Sequence, residues 1–184
     1  MLRRSLLYTL AGAREAQPPF PNVPVQTHQG RTVHFYEDLL KGKVVTVNFM
    51  YAECTGICPG MTANLLKVQS ALGERVGKDI FMYSITLKPG HDTPHVLGAY
   101  AERYQVKPGW LFLTGRPDDV ELLRRRLGFV DSDPALDADA GEHIGLVRFG
   151  NEPFGRWAAC PALSRADQIA ESILQIAGQG RTTG

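Results

Sequence analysis

The segment Lys43–Met50, reading KVVTVNFM, constrains the fold more than any other part of the chain. It is β-branched and apolar at odd and even positions alike, whereas a strand with one wet face alternates apolar with polar residues. Such a strand must be covered on both faces, which calls for a helical layer on either side of a sheet. The flanking sequence supplies those layers. Cys58–Leu72 predicts a helix in which Met61, Leu65, Val68 and Leu72 form one apolar stripe at intervals of 4, 3 and 4. Pro59 suits the first helical position, which puts Cys58 at or beside the N-cap. Ile80–Leu87 reads as the next strand, and Thr93 and Pro94 open a helix running to about Tyr104. Trp110–Thr114 is a further strand, followed by a helix over Pro117–Leu127 that Gly128 ends.

Both ends of this unit are legible as well. Thr32–Tyr36 is a short strand candidate before a helical turn at Glu37–Leu40. Ile144–Phe149 and Gly155–Ala159 predict a β-hairpin, and Ser164, with Asp167 three residues on, starts a last helix lined by Ile169, Ile173 and Ile176. The sum is an α/β protein, a three-layer α/β/α sandwich with a C-terminal β-hairpin and helix. At 184 residues there is room for one domain, placed at 25–178 with a polar tail at 179–184. Residues 1–24 hold a degenerate export signal and a proline-rich linker. Arg3 and Arg4 precede the short apolar stretch Ser5–Leu10 and the small residues Ala11-Gly12-Ala13, and Gln17–Pro24 follows as extended linker. A working leader implies a periplasmic or cell-envelope location, and a non-functional one implies the cytoplasm.

A net charge of +1 lacks the basic excess of a nucleic-acid binder. No run approaches the roughly 20 apolar residues of a membrane-spanning helix. Three cysteines are too few for a disulfide scaffold, so their placement matters more than their number. Cys54 and Cys58 lie in Tyr51-Ala-Glu-Cys-Thr-Gly-Ile-Cys-Pro59, between the covered strand and a helix start. Unpaired N–H groups and the helix dipole favour an anion there, and a thiolate is the form that binds metal or attacks a disulfide. Gly56 lets the loop fold back so that the two sulfurs converge. The pair alone leaves redox chemistry and metal binding both open, with the C-x3-C spacing tipping mildly toward metal.

Of five histidines, His28 and His34 read as surface residues, and His91 and His95 as surface or capping residues at a helix start. His143 differs: it ends the acidic loop Asp131–Gly141 and stands immediately before the hairpin, where it is a candidate third ligand. Two thiolates and an imidazole form a soft set that suits Cu(I) and also takes Cu(II) or zinc. Cys160, before Pro161 at the end of the hairpin, has three readings: a fourth ligand in a structural Cys3His zinc set, a buried neighbour of the site, or a free or resolving thiol.

This combination resembles the Sco (SenC) family of copper-binding, thioredoxin-like assembly factors for cytochrome c oxidase. The residues carrying the resemblance are Val44–Met50, Cys54-x3-Cys58-Pro59, Asp92-Thr93-Pro94, Trp110-Leu-Phe-Leu-Thr-Gly115, and His143, which follows Cys58 by 143 − 58 = 85 positions. It extends from about Pro21 to Gln175. The resemblance implies Cys54, Cys58 and His143 as copper ligands, a redox-active Cys54/Cys58 disulfide, Glu142 and Cys160 as candidates for the site's immediate surroundings, and a copper-accepting apoprotein such as a cytochrome c oxidase subunit as partner. The chain departs from the pattern in two places. Leu87-Lys-Pro-Gly90 stands where the family commonly has Asp-Pro, so an acidic residue near the site is missing from its usual place. Glu142 and Ile144 flank the histidine where Asp and Ser or Thr are usual.

The expected function is a copper metallochaperone, a binding and delivery protein that turns nothing over. The alternative is a thiol–disulfide oxidoreductase served by a thiol reductant, in which Cys58 at the helix start is the better-placed nucleophile. Peroxide reduction needs a cation beside the thiolate, and Tyr51–Gly60 contains none. A non-catalytic interaction domain needs both thiols to be dispensable.

Overall fold

The computed structural model describes residues 18–137 and 145–178. Seven strands form one mixed sheet: β1 (Pro24–Thr27), β2 (Thr32–His34), β3 (Val44–Met50), β4 (Ile80–Thr86), β5 (Trp110–Gly115), β6 (Leu146–Asn151) and β7 (Arg156–Pro161). Their spatial order is β2-β1-β5-β4-β3-β6-β7. The central three, β3, β4 and β5, run parallel, and the antiparallel strands lie outside them. The helices are α1 (Ile57–Leu72), α2 (Pro94–Arg103), α3 (Pro117–Arg126), the single turn α4 (Pro134–Asp137) and α5 (Ala166–Gly178), with a wide helical turn at Phe35–Leu40.

The three layers follow from side-chain alternation on the central strands. On β3, Val45, Val47 and Phe49 enter one core with the Phe35–Leu40 turn and Val120 and Leu123 of α3. Met50 faces the other core, where Met61, Leu65 and Val68 of α1 meet Leu97 of α2 and Ile169 and Ile173 of α5. Phe49 is 1% exposed, a burial worth about 1.5–3 kcal/mol. The α1 stripe is buried at all four expected positions; truncating Leu65 to Ala, inside that packing, carries the usual cost of about 2–5 kcal/mol. Polar atoms on the α1 face satisfy one another: Trp110 Nε1 donates to Ser84 Oγ over 2.9 Å, and Ser84 Oγ donates to Asn48 Oδ1 over 2.7 Å. This is the α/β/α sandwich with closing hairpin and helix that the sequence predicts.

The structure differs from the sequence reading at several places. The proline-rich segment is not only linker: Phe20 is buried with its ring 4.7 Å from Trp157, and Pro24 begins β1, hydrogen-bonded between β2 and β5. The proline is tolerated because it is the first residue of the strand, and the pairing with β5 begins only at Val25. The acidic loop contains α4, whose Asp137 takes two hydrogen bonds from Arg124 at 2.6 and 2.9 Å. The last helix begins at Ala166, two residues past Ser164. His28 is half-buried, its Nδ1 accepting the Phe112 N–H over 3.1 Å. Residues 1–17, 138–144 and 179–184 lie outside the described residues, and with them the leader, Glu142 and His143. Among the described residues, no helix is long and apolar enough to cross a membrane.

Candidate metal centre

The chain leaves β3 at Met50 and turns at once, the Cys54 N–H donating to the Tyr51 carbonyl over 3.2 Å. Gly56 caps α1, so Cys58 is the second helical residue and Pro59 the third. The proline therefore sits within the first turn but not at its first position, and the cap lies two residues upstream of where the sequence puts it. A first-turn proline loses no intrahelical bond anywhere in that turn, so its presence marks the turn without fixing the register.

That shift decides the roles of the two sulfurs. Cys58 is fully buried, on the inner side of the helix, and Cys54 is 8% exposed on the loop. Both are free thiols within hydrogen-bond reach of each other. For Cys54, burial acts to raise the pKa, but the Cys58 thiol, the N–H groups of Cys58 and Gly56, and the Tyr51 hydroxyl all donate to its sulfur and bring it below the ordinary thiol value. For Cys58, burial pushes the pKa up to about 12, and sharing its proton with Cys54 adds to the rise. Cys54 is thus the more acidic thiol of the pair and Cys58 donates to it, which reverses the expectation that the helix-start cysteine is the better nucleophile. A fully desolvated sulfur gains too little from the helix dipole to offset the loss of water, while a loop sulfur aimed at the helix N–H groups collects them.

The acid missing from Leu87–Gly90 is supplied from further along. Asp92 is fully buried, and its Oδ2 accepts the Ala52 N–H at 2.9 Å and the Thr86 hydroxyl at 2.6 Å. His91 lies between two carboxylates, its Nδ1 3.1 Å from Asp92 and its Nε2 3.2 Å from Glu53. Its hydrogen bond to Asp92, and then the charge of Glu53, raise its pKa. The Lys88 ammonium stands 4.1 Å from the Tyr51 ring centroid. In sequence, Asp92 only precedes the Thr93-Pro94 helix start, and nothing there shows that its carboxylate turns back under the cysteine loop.

Cys160, on β7, pairs with Val147 of β6 and is half-buried against the α1-side core, and burial raises its pKa. Among the described residues no three His, Cys, Asp or Glu side chains come together as a metal set, so Cys160 does not complete one with the pair. His34 and His95 are exposed and apart from it. Gly145, two positions after His143 in the chain, lies against the first turn of α1: a Cβ there would stand 2.4 Å from Ile57 Cδ1 and 3.7 Å from Met61 Sδ.

A covered parallel sheet edge feeding two converging sulfurs into a helix N-terminus defines the class: a thioredoxin-like α/β protein with a dithiol site. The sequence model described as SCO1/SenC matches residues 14–147, and the chain belongs to that family. It is 34% identical over 92 residues to the SCO1 protein homolog of Bacillus subtilis, covering 49% of this chain and 46% of that protein. The chain spans about half the length of the curated relatives it matches. The crystal structure of a SCO1/SenC family lipoprotein from Bacillus anthracis superposes with a TM-score of 0.69 at 23% identity, covering 86% of this chain and 94% of that one. Bradyrhizobium japonicum ScoI with copper bound superposes with a TM-score of 0.67 at 20% identity, over 85% and 99% of the two chains. At these identities the structural likeness concerns the fold.

Proposed function

We propose that this protein binds copper through Cys54, Cys58 and His143 and delivers it to an acceptor apoprotein. The observation that carries the reading is the convergence at one end of α1: two adjacent sulfurs, one of lowered pKa, in a place nearly closed to water, with Gly145 packed on Ile57. His143 stands two residues before Gly145 in sequence, a chain length of at most about 7 Å. Two thiols that surrender their protons on binding, joined by an imidazole, make a soft set of low coordination number suited to Cu(I). Glu142 belongs to the same approach, as a charge beside the incoming imidazole. The family and the copper-bound relative support copper over zinc, and a cytochrome c oxidase subunit is the acceptor class they suggest. Copper is cargo here, so the protein needs no turnover. A cell-envelope location fits the leader-like residues 1–13 and the family lipoprotein; in an oxidising envelope, a thiol reductant has to open the Cys54–Cys58 disulfide before Cu(I) binds.

Anaerobic Cu(I) titration followed by X-ray absorption tests the site, with two sulfurs and one nitrogen expected around the metal. His143→Ala is expected to weaken Cu(I) at least tenfold; unchanged affinity in that variant removes the site as drawn.

A second reading, thiol–disulfide exchange, is favoured by one observation: the hydrogen-bonded thiol pair with Cys54 as its activated member. In that reading Cys54 attacks and Cys58 resolves. Turnover of a disulfide substrate that Cys54→Ser abolishes, in protein free of copper, promotes it over the first.

A further inference from the structure

Cys54 and Cys58 are held by different parts of the molecule. Cys58 is locked into α1 and the core beneath it. Cys54 rides on a loop whose three preceding residues are each gripped from one neighbouring segment. Lys88 covers the Tyr51 ring at 4.1 Å, Asp92 accepts the Ala52 N–H at 2.9 Å, and His91 meets Glu53 at 3.2 Å. The grip is anchored, because Asp92 is fully buried and also bound to the Thr86 hydroxyl at the end of β4, while Thr86 Oγ1 accepts the Lys88 N–H at 2.9 Å.

We propose that the Lys88–Asp92 loop is the positioning element of the dithiol site: Lys88, Asp92 and His91 hold Tyr51, Ala52 and Glu53, one each, and so set where the Cys54 sulfur stands relative to Cys58. Asp92 is the central positioning residue, since it alone is buried and tied to the sheet. The role rests on the pair being the functional site but not on any metal: a dithiol held in register closes on a shared ion or into a disulfide equally well, because the cost of bringing the sulfurs together is met in advance.

The test uses the full-length, metal-free protein and the equilibrium of the Cys54/Cys58 couple with glutathione, read by thiol alkylation and mass. In that reaction the two thiols give two protons and two electrons to oxidised glutathione, the Cys54–Cys58 bond forms, and two reduced glutathione molecules leave. The equilibrium constant measures the effective concentration of one thiol at the other. Asp92→Ala is expected to lower it about tenfold, the factor of losing a buried acceptor shared by the Ala52 N–H and the Thr86 hydroxyl. Asp92→Asn keeps an oxygen for Ala52 and Thr86 and is expected to restore it to within about twofold. His91→Ala, at an exposed residue that leaves folding intact, frees Glu53 and gives a smaller fall of about two- to threefold. Tyr83→Phe controls for general destabilisation; it removes the Tyr83 hydroxyl bond to the Leu39 carbonyl in the opposite core and is expected to leave the constant unchanged. The proposal is overturned if Asp92→Ala and His91→Ala both match the wild type, if Tyr83→Phe moves the constant as far as Asp92→Ala, or if Asp92→Asn falls as far as Ala. None of these readouts involves copper, so a failure here and a failure of Cu(I) binding are separate results.

Discussion

The unequal protonation of the two thiols has a direct chemical consequence. A thiol pushed up to about 12, as Cys58 is, holds on the order of one thiolate in 10⁵ at pH 7. Cys54 is lowered from an ordinary value of 9.0, at which a thiol is roughly 1% thiolate at that pH, so it holds more than that. The thiolate populations therefore differ by at least about 1,000-fold. Part of this is given back, because a thiolate of higher pKa is the stronger nucleophile: with a Brønsted coefficient of about 0.4–0.5, a gap of about 3 pH units returns roughly 15- to 30-fold. The net preference for Cys54 is at least about 30-fold, and the complete burial of Cys58 adds to it. Sub-stoichiometric iodoacetamide at pH 7, on reduced metal-free protein carrying Cys160→Ser, should place nearly all adduct on Cys54 by peptide mapping. An adduct on Cys58 forming within tenfold of the Cys54 rate refutes the assignment of Cys54 as the more acidic thiol.

Further expectations concern the frame around the site. At Gly109, with φ +92°, an added Cβ would meet the Gly77 amide nitrogen at 2.4 Å and the Gly77 Cα at 2.7 Å. Gly109→Ala should therefore cost about 3 kcal/mol or more in urea unfolding, against about 1 kcal/mol for Gly42→Ala, where φ is +75° but the space is open. Burial lowers the pKa of His28, so between its folded value and about 6.5 the unfolded chain binds the extra proton and stability falls as pH drops. The urea midpoint should decline from pH 7.5 to 5.5 and flatten in His28→Asn; a flat wild-type profile refutes this.

What the sequence disclosed and what it hid divide along the distance between partners. β3, the α1 stripe and the Thr93 cap are local patterns. Their signals lie within a few residues, and Thr93 Oγ1 accepts the Val96 N–H at 3.3 Å as its sequence context predicts. β1 was hidden because nothing within Pro24–Thr27 makes it a strand; its ladder bonds go to Thr32–His34 and to Leu113–Gly115. The cysteine pair was visible through spacing, but the order of its pKa values was not. That order depends on which sulfur faces inward, and a two-residue error in the cap position exchanges the answer. The role of Asp92 is hidden for a similar reason: in sequence it only precedes the Thr93-Pro94 helix start, and the fold alone shows its carboxylate reaching across to Ala52.

The different anchoring of the two sulfurs bears on the proposed delivery. A metal passed by ligand exchange must be released one bond at a time, so at least one donor has to leave without unfolding the protein. Cys58 cannot be that donor, because its helix turn is built into the core with Met61 and Leu65. Cys54 stands on the loop before the helix, 8% exposed where Cys58 is fully buried, and that loop is gripped by Lys88, Asp92 and His91. Of the two sulfurs, Cys58 is therefore the last to let go, and an acceptor's ligand meets Cys54 first.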